Sequence, residues 1–245
     1  MPEFIEGRNP ILEALRSDHP LNKILIAKNI ERHKTILEII ELTKAKKIPL
    51  EWVERKALDR ISFSGKHQGL IAFAAAHKYV DVVDLLNTAK DKKENPYLVM
   101  LDGIEDPHNL GAILRTAEAT GANGVIILKR RAVPLTSTVA KVSAGAIEYV
   151  GVTRVPNLST TMDYLKKEGL WMVGVEAGAE KSYREVDLKL PIAIIIGGEG
   201  KGISRLVKEK CDFLVSISMK GRITSLNASV AAGIILYEVF NQRRA

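Results

Sequence analysis

Short apolar runs in the second half of the chain alternate with amphipathic stretches of helical spacing. The apolar runs are YLVML (97–101), GVIIL (124–128), EYVGV (148–152), WMVGV (171–175), IAIII (192–196) and FLVSI (213–217). Strands that are apolar on both faces are typical of a parallel sheet covered by helices. The helical stripes between and after them are Leu110, Ile113, Leu114 and Ala117, and then Val230, Ile234 and Tyr237. Ser225 or Asn227 would cap the last helix. The pattern predicts an α/β domain with a parallel sheet.

The first 80 residues carry a smaller pattern of the same kind. KILIA (23–27) and GLIAFAAA (69–76) are predicted strands, and ERHKTILEIIELTKAKK between them has apolar residues at helical spacing. The stretch DVVDLLNTAKDKKENP (81–96) ends in a polar, lysine-rich run closed by proline, which is typical of a linker. We therefore predict a small α/β domain at 1–80, a linker at 81–96 and a larger α/β domain at 97–245.

Composition indicates a globular chain without a membrane segment. The 245 residues are 46% hydrophobic and 27% charged, and no apolar run approaches the ~20 residues of a membrane span. The first ten residues, MPEFIEGRNP, lack the basic and then apolar order of a secretory signal. Cys211 is the single cysteine and cannot form an internal disulfide. A cytoplasmic protein with no membrane partner is expected.

The charge balance favours a polyanionic partner. The net charge is +7, with +4 in residues 1–80 (14 basic, 10 acidic) and +4 in residues 97–245 (19 basic, 15 acidic). A nucleic-acid footprint would therefore draw on both domains. The densest basic cluster, Lys129 to Arg131, is either part of that footprint or a solvated loop after a buried strand.

A parallel α/β sheet binds ligands at the carboxyl ends of its strands, but the common nucleotide motifs are missing there. YLVML is followed by DGIEDPHNLGA, which lacks G-x-G-x-x-G, and the residue after Lys201 is Gly202 where a phosphate-binding loop needs Ser or Thr. Asp102, Asp106 and His108 do not have metal-ligand spacing, so no metal is predicted. An enzyme that binds a dinucleotide or a nucleoside triphosphate through one of these common motifs is therefore disfavoured.

Three segments combine glycines with polar residues at the edges of apolar runs. They are NLGAILRTAEATGA (109–122), IIIGGEGKGIS (194–204) and SISMKGRITSLNASVA (216–231). In this order they resemble the signature motifs of the SpoU family of RNA ribose 2′-O-methyltransferases, which belongs to the SPOUT superfamily. EGRNPILEALRS and SGKHQGLIAF resemble the substrate-binding domain that precedes the catalytic domain in several members. The resemblance covers nearly the whole chain.

The resemblance implies a fold, a cofactor and partners. The fold would be a small N-terminal α/β RNA-binding domain and a SPOUT-type α/β domain with a parallel sheet and a C-terminal trefoil knot. The methyl donor would be S-adenosyl-L-methionine, the substrate RNA, and the assembly a homodimer. Because the N-terminal domain is similar to that of bacterial 23S rRNA guanosine-2′-O-methyltransferases, an rRNA guanosine is the expected target. A tRNA 2′-O-methyltransferase and a catalytically silent RNA-binding relative are the alternatives.

The family match also assigns site residues. The implied catalytic residues are Asn109, Arg115, Glu199, Ser225 and Asn227, and the implied cofactor-binding residues are Gly198, Ile217 and Leu226. The family often has Asn at the position of Gly198 and Pro at the position of Ser218, so side-chain contacts there are not carried over. His67, in SGKHQG, is a candidate RNA contact by the same resemblance.

Each polar residue also has a purely structural interpretation. Asn109 could be the N-cap before Leu110, Arg115 could pair with Glu118 one turn on, and Glu199 could sit near a helix N-terminus. The glycines of the second motif could simply form a strand-to-helix turn. In the catalytic interpretation, a guanidinium stays protonated, so Arg115 would hold a phosphate and stabilise the forming alkoxide rather than act as a base.

Overall fold

The computed structural model describes residues 4–244, which divide into two compact units. The smaller unit contains residues 4–78 together with Pro134–Ser137. The larger unit contains Tyr79–Val133 and residues 138–244. Within the described part of the chain, no helix has both the length and the apolar content needed to cross a bilayer.

The smaller unit is a four-stranded mixed sheet with helices on both faces. Its strands are β1 (Phe4–Glu6), β2 (Leu21–Ala27), β3 (Leu50–Val53) and β4 (Leu70–Ala74), and its helices are α1 (Arg8–Arg16), α2 (Lys34–Ala45) and α3 (Arg55–Ile61). The strand order is β1-β4-β2-β3, with β4 antiparallel to both neighbours and β3 parallel to β2. Ile24 and Ile26 of β2 lie in the core shared with α1 and α2, whereas Leu25 packs with Leu58 of α3 on the other face. The predicted small α/β module is confirmed.

His67 is part of this core rather than a surface contact. Its side chain is buried, its Nδ1 accepts a hydrogen bond from the amide of Gly69 at 3.1 Å, and its Nε2 lies 2.9 Å from Asp59 Oδ1. Because Nδ1 is an acceptor, Nε2 carries the proton and donates to the carboxylate. The candidate RNA contact at His67 was wrong; the ring fixes the turn that leads into β4.

The larger unit is built on a seven-stranded parallel sheet of order β7-β6-β5-β10-β8-β11-β9. The strands are β5 (Tyr97–Asp102), β6 (Gly124–Leu128), β7 (Val152–Val155), β8 (Trp171–Val175), β9 (Lys181–Ser182), β10 (Ile192–Gly197) and β11 (Phe213–Ser216). The helices are α4 (Val82–Lys92), α5 (Pro107–Ala119), α6 (Ser137–Val142), α7 (Leu158–Lys167), α8 (Arg205–Glu209) and α9 (Ala228–Arg244). Fully buried β5, β6 and β10 explain the uniformly apolar runs, and the predicted parallel sheet is confirmed. The trefoil knot stays a prediction.

Two segments differ from the prediction. EYVGV (148–152) enters the sheet only at its last residue, because the chain first makes a short 3₁₀ turn, Ala146–Glu148, that leaves Tyr149 exposed. The stretch 81–96, interpreted as a linker, carries α4, whose Leu85 and Leu86 are buried in the core of the larger unit. A Cβ at Gly124 would lie 2.4 Å from Leu85 Cδ2, so this glycine makes room for the helix. The helical spacing of Leu85, Leu86 and Ala89 was the signal that the polar end of the segment obscured.

Candidate functional site at the carboxyl ends of β5 and β10

The order of the parallel sheet places its topological switch between β5 and β10. From β5 the chain continues outward through β6 and β7, and it returns to the other side of the sheet in β8 and β10. Asp102 and Gly197, the last residues of β5 and β10, are paired in register. Asp102 accepts hydrogen bonds from the amide of Gly198 (2.9 Å to its carbonyl) and from the amide of Ser204 (2.7 Å to Oδ2). A crevice at this point is where open α/β sheets bind ligands.

The loop after β10 folds back on itself so tightly that glycine is required. A Cβ on Gly197 would lie 2.1 Å from the carbonyl carbon of Gly202, and one on Gly198 would lie 2.3 Å from the carbonyl oxygen of Gly103. Gly200 and Gly202 have positive φ angles of 77° and 61°. Gly197 and Gly198 therefore allow a close approach of backbone segments that any side chain would prevent.

Three polar side chains from the three sequence motifs meet in one hydrogen-bonded set. Asn109 Nδ2 donates to Glu199 Oε1 at 2.8 Å. Asn227 Nδ2 donates to the same oxygen at 2.6 Å and to Asn109 Oδ1 at 3.0 Å. Two amides that donate to one carboxylate oxygen fix its orientation. The structure thus brings together residues that lie 118 positions apart in the sequence.

Asn227 has a second role as the cap of α9. Its Oδ1 accepts hydrogen bonds from the amides of Ser229 (3.0 Å) and Val230 (3.3 Å) and from the Ser229 hydroxyl (2.6 Å). An N-cap oxygen satisfies amides that have no partner inside the helix. Of the two residues proposed to cap α9, Asn227 does so, whereas Ser225 is exposed and makes no hydrogen bond with the described residues.

The proposed capping role of Asn109 was wrong. Helix α5 begins at Pro107, three residues earlier than the prediction, and Asp106 caps it by accepting a hydrogen bond from the amide of His108 at 3.1 Å. Asn109 therefore lies inside the first turn, 5% exposed, with its amide directed at Glu199. Because Asn109 does not cap α5, its side-chain amide is available for the contact with Glu199.

A cavity of about 560 Å³ opens beside the hydrogen-bonded set. The cofactor-binding candidates Gly198, Ile217 and Leu226 line it, as do the catalytic candidates Glu199, Ser225 and Asn227. Its size is within the roughly 300–1,000 Å³ of small-molecule sites. Apolar walls on one side and a glycine loop with accessible backbone on the other fit an adenosine-containing group.

Glu176 belongs to the same cavity and was missed from the sequence. It follows β8 directly, lines the cavity, and its Oε1 accepts a hydrogen bond from Lys208 Nζ at 2.6 Å. Its Oε2 is buried and has no partner among the described residues. The available signal was its position, since it follows WMVGV at the carboxyl end of a predicted strand.

Arg115 lies apart from the other candidates. It is exposed and forms neither the expected ion pair with Glu118 nor any hydrogen bond or ion pair with residues 4–244. It is six residues after Asn109 on α5, which places it about 9 Å along the helix axis and about 120° around it. Within one chain, Arg115 therefore does not join the set that contains Asn109.

A second, larger cavity of about 800 Å³ lies on the other side of Glu199. Glu199 and Lys201 line both cavities, and Arg130 and Arg131 of the basic cluster line the second. Both arginines are exposed. The hydrogen-bonded set thus borders both a glycine-lined cavity and a second cavity whose charged lining is mixed. Its acidic residues are Asp102, Glu105, Asp106 and Glu199, and its basic residues are Arg130, Arg131 and Lys201. Among the described residues, no three His, Cys, Asp or Glu side chains are grouped as a metal site would need.

Comparison with known proteins defines the class of the molecule as an RNA methyltransferase. The chain belongs to the SpoU rRNA methylase family, whose pattern matches residues 96–237. Residues 4–80 match a second family, described as RNA 2′-O ribose methyltransferase substrate binding. The two matches fall on the two halves of the chain that were predicted to have these functions.

Relatives of known name cover almost the whole chain. The putative TrmH family tRNA/rRNA methyltransferase YacO of Bacillus subtilis (strain 168) is 48% identical over 241 residues, covering 98% of this chain and 96% of that protein. A putative TrmH family tRNA/rRNA methyltransferase of Staphylococcus aureus (strain MSSA476) is 49% identical over 239 residues, with the same coverage. The crystal structure of the SpoU methyltransferase AviRb from Streptomyces viridochromogenes, in complex with AdoMet, is similar with a TM-score of 0.64 and 25% identity, covering 99% of this chain and 90% of that one.

Proposed function

We propose that the protein transfers a methyl group from S-adenosyl-L-methionine to the 2′-hydroxyl of a guanosine in 23S rRNA. The observation that carries this proposal is the hydrogen-bonded set Asn109, Glu199 and Asn227, which borders both the glycine-lined cavity and the second cavity with Arg130 and Arg131 in its lining. The cofactor would occupy the first cavity against Gly198, Ile217 and Leu226, and the target nucleotide would enter the second. The complex of AviRb with AdoMet supports the choice of cofactor.

In this reaction the protein does not have to form a covalent intermediate with the substrate. When bound, the sulfonium cofactor supplies an electrophilic methyl group. The protein has to align the ribose hydroxyl and offset the charge that develops as the hydroxyl loses its proton. Glu199 Oε1 is fixed by two amides, and Oε2 makes no hydrogen bond with the described residues, so it can accept one from the nucleoside. Ser225, exposed at the rim of the cofactor cavity, can hydrogen-bond the same nucleoside.

Arg115 would hold the adjoining phosphate and stabilise the forming alkoxide. Its distance from Asn109 along α5 supports the proposal that the active unit is a homodimer in which Arg115 of one chain serves the cavity of the other. Exposed apolar side chains on α9, Val230 (50% exposed) and Tyr237 (49% exposed), are candidates for the contact surface. Light scattering that finds a monomer at micromolar concentration would contradict the dimer.

The choice of rRNA rests on the separate N-terminal domain. A large folded RNA can be selected by shape, phosphates and 2′-hydroxyls at a distance from the reacting ribose. Mass-spectrometric mapping of ribose methylation in cells with and without the gene tests the proposal. Loss of one 2′-O-methylguanosine from large-subunit rRNA is expected. Loss from tRNA alone would replace the substrate while leaving the reaction in place, and no loss from either RNA would refute the proposed function.

A further inference from the structure

We propose that Phe63, in the smaller unit, is a stacking platform for an unpaired base of the RNA substrate. This inference rests on the proposed function and adds a recognition residue far from the methylation site in sequence. It starts from the exposure of the ring: Phe63 is 98% exposed, whereas Phe4 and Phe73 of the same unit pack against each other at 5.0 Å between ring centroids.

The loop that presents Phe63 is held in place by one carboxylate. Glu6 Oε1 accepts a hydrogen bond from the amide of Phe63 at 2.6 Å, and Oε2 accepts from the amide of Ser64 at 3.2 Å. The hydroxyls of Ser62 (2.9 Å) and Ser64 also donate to Glu6 Oε2. The hydrogen bond from the Ser64 hydroxyl, with those from the Phe63 amide, the Ser62 hydroxyl and the Ser64 amide, lowers the pKa of Glu6 to about 2. The ring is therefore projected into solvent from a fixed backbone, and its entropy loss on binding is small.

The charges around the loop fit a nucleic acid. Arg60, in the last turn of α3, and Lys66, in the loop, are exposed and form no ion pair with the residues the structure describes. The carboxylates of Glu6 and Asp59 accept hydrogen bonds from the loop and from His67, so neither of them pairs with Arg60 or Lys66. An aromatic ring with a free cation three residues before it and another three residues after it in the sequence is the combination that binds single-stranded RNA, since the ring stacks on a base and the cations contact phosphates.

The test separates stacking from simple hydrophobic contact. Full-length protein carrying Phe63→Ala, Phe63→Leu or Phe63→Trp is compared with the wild type and with Leu37→Ala, which removes a 46% exposed apolar side chain from α2 of the same unit. The RNA is deproteinised large-subunit rRNA from cells that lack the gene. Filter binding gives the Kd, and methyl transfer gives kcat and KM separately.

Phe63→Ala and Phe63→Leu are expected to raise both Kd and KM for RNA by at least ~5-fold with kcat unchanged, on the scale of losing one stacked base. Phe63→Trp and Leu37→Ala should match the wild type. Wild-type affinity in Phe63→Leu, or a defect seen only on ribosomal particles and not on naked RNA, would overturn the stacking role, and the second result would indicate a protein partner. Because filter binding does not depend on turnover, a wild-type protein that binds this RNA through Phe63 but methylates none would refute the proposed function and leave the inference intact.

Discussion

Asn227 combines two tasks that substitution can separate. Its Oδ1 caps α9, while its Nδ2 donates to Glu199 and Asn109. Asn227→Ala removes both. Asn227→Asp keeps an equally good capping oxygen but replaces the donor by a second carboxylate next to Glu199 Oε1. Comparing the two variants therefore separates the effect of the cap on stability from the effect of the amide donor on methyl transfer.

The expected magnitudes follow from the contacts. Loss of the cap costs about 1 kcal/mol. Loss of the amide donor to a carboxylate costs about 1.5 kcal/mol, the low end of the range because Glu199 is exposed. Asn227→Ala should therefore lower the free energy of unfolding by about 2.5 kcal/mol, and the Tm by about 5–10 °C for a chain of this size. At pH 6, where a proton shared with Glu199 relieves the repulsion between the two carboxylates, Asn227→Asp should lose less stability than Asn227→Ala, because an acidic cap also interacts favourably with the helix dipole.

For methylation activity, Asn227→Asp is the informative variant. In Asn227→Asp, two carboxylates about as close as the 2.6 Å contact they replace cannot both stay ionised, which raises the pKa of the pair. Once a proton is shared, one carboxyl donates to the other as the amide did. Single-turnover methylation by Asn227→Asp should therefore increase relative to wild type as the pH falls from 8 to 6. Ser229→Ala, which removes only a hydroxyl donor to Oδ1, is the matched control.

Thermal unfolding followed by circular dichroism, and methylation measured across this pH range, check the two halves of the prediction. An Asn227→Ala protein as stable as wild type would refute the capping role. Equal loss of stability in the Ala and Asp variants at pH 6 would do the same. A pH profile of Asn227→Asp parallel to wild type would show that the donor to Glu199 does not matter for transfer.

Four further outcomes are expected. Arg115→Ala should slow single-turnover methylation by at least ~100-fold without changing calorimetric binding of S-adenosylhomocysteine, and Arg115→Lys should not rescue it, because an ammonium lacks the planar fork; near wild-type turnover would remove Arg115 from the mechanism. Leu85→Ala should destabilise the protein by about 2–5 kcal/mol in urea unfolding, since Leu85 is 1% exposed in the core of the larger unit. A loss below about 0.5 kcal/mol, as for a surface substitution, would mean that α4 is not part of that core. Glu6→Gln should be less stable than wild type at neutral pH. Since the folded pKa of Glu6 is lowered to about 2 from 4.5, the difference should hold above pH 4.5 and shrink as the pH falls towards 2, which thermal unfolding across that range measures. Burial raises the pKa of the Cys211 thiol to about 12, so Ellman's reagent at pH 8 should react only on unfolding.

The elements that the sequence pattern predicted correctly are the strands that are buried on both faces. β5, β6, β8 and β10 lie inside the parallel sheet and most of their residues are buried, so nearly every residue is apolar and the strands stand out. EYVGV was misplaced because it runs from the last residue of a 3₁₀ turn through a short connection to the first residue of β7, and periodicity does not separate these parts over five residues. Helix α4 was hidden because its exposed end is as polar as a linker.

The members of the hydrogen-bonded set were predictable from the sequence, but their geometry was not. The motif residues Asn109, Glu199 and Asn227 were identified, yet nothing local indicates that one carboxylate oxygen accepts from both amides. Those contacts depend on the strand order, which places β5 beside β10 although the two strands are far apart in the sequence. Glu176 has no motif at all and became visible only when β8 was placed beside β10.

The strand order also governs how the larger unit can be made on the ribosome. β5, β6 and β7 emerge early and can pair, but the other edge of β5 is covered only by β10, whose Ile192 pairs with Tyr97. Until about a hundred further residues are synthesised, a strand that is apolar on both faces keeps a row of unpaired backbone groups. Such an edge is a template for aggregation. Nascent chains that stall before residue 192 should therefore depend on chaperones, whereas chains completed through β10 should not.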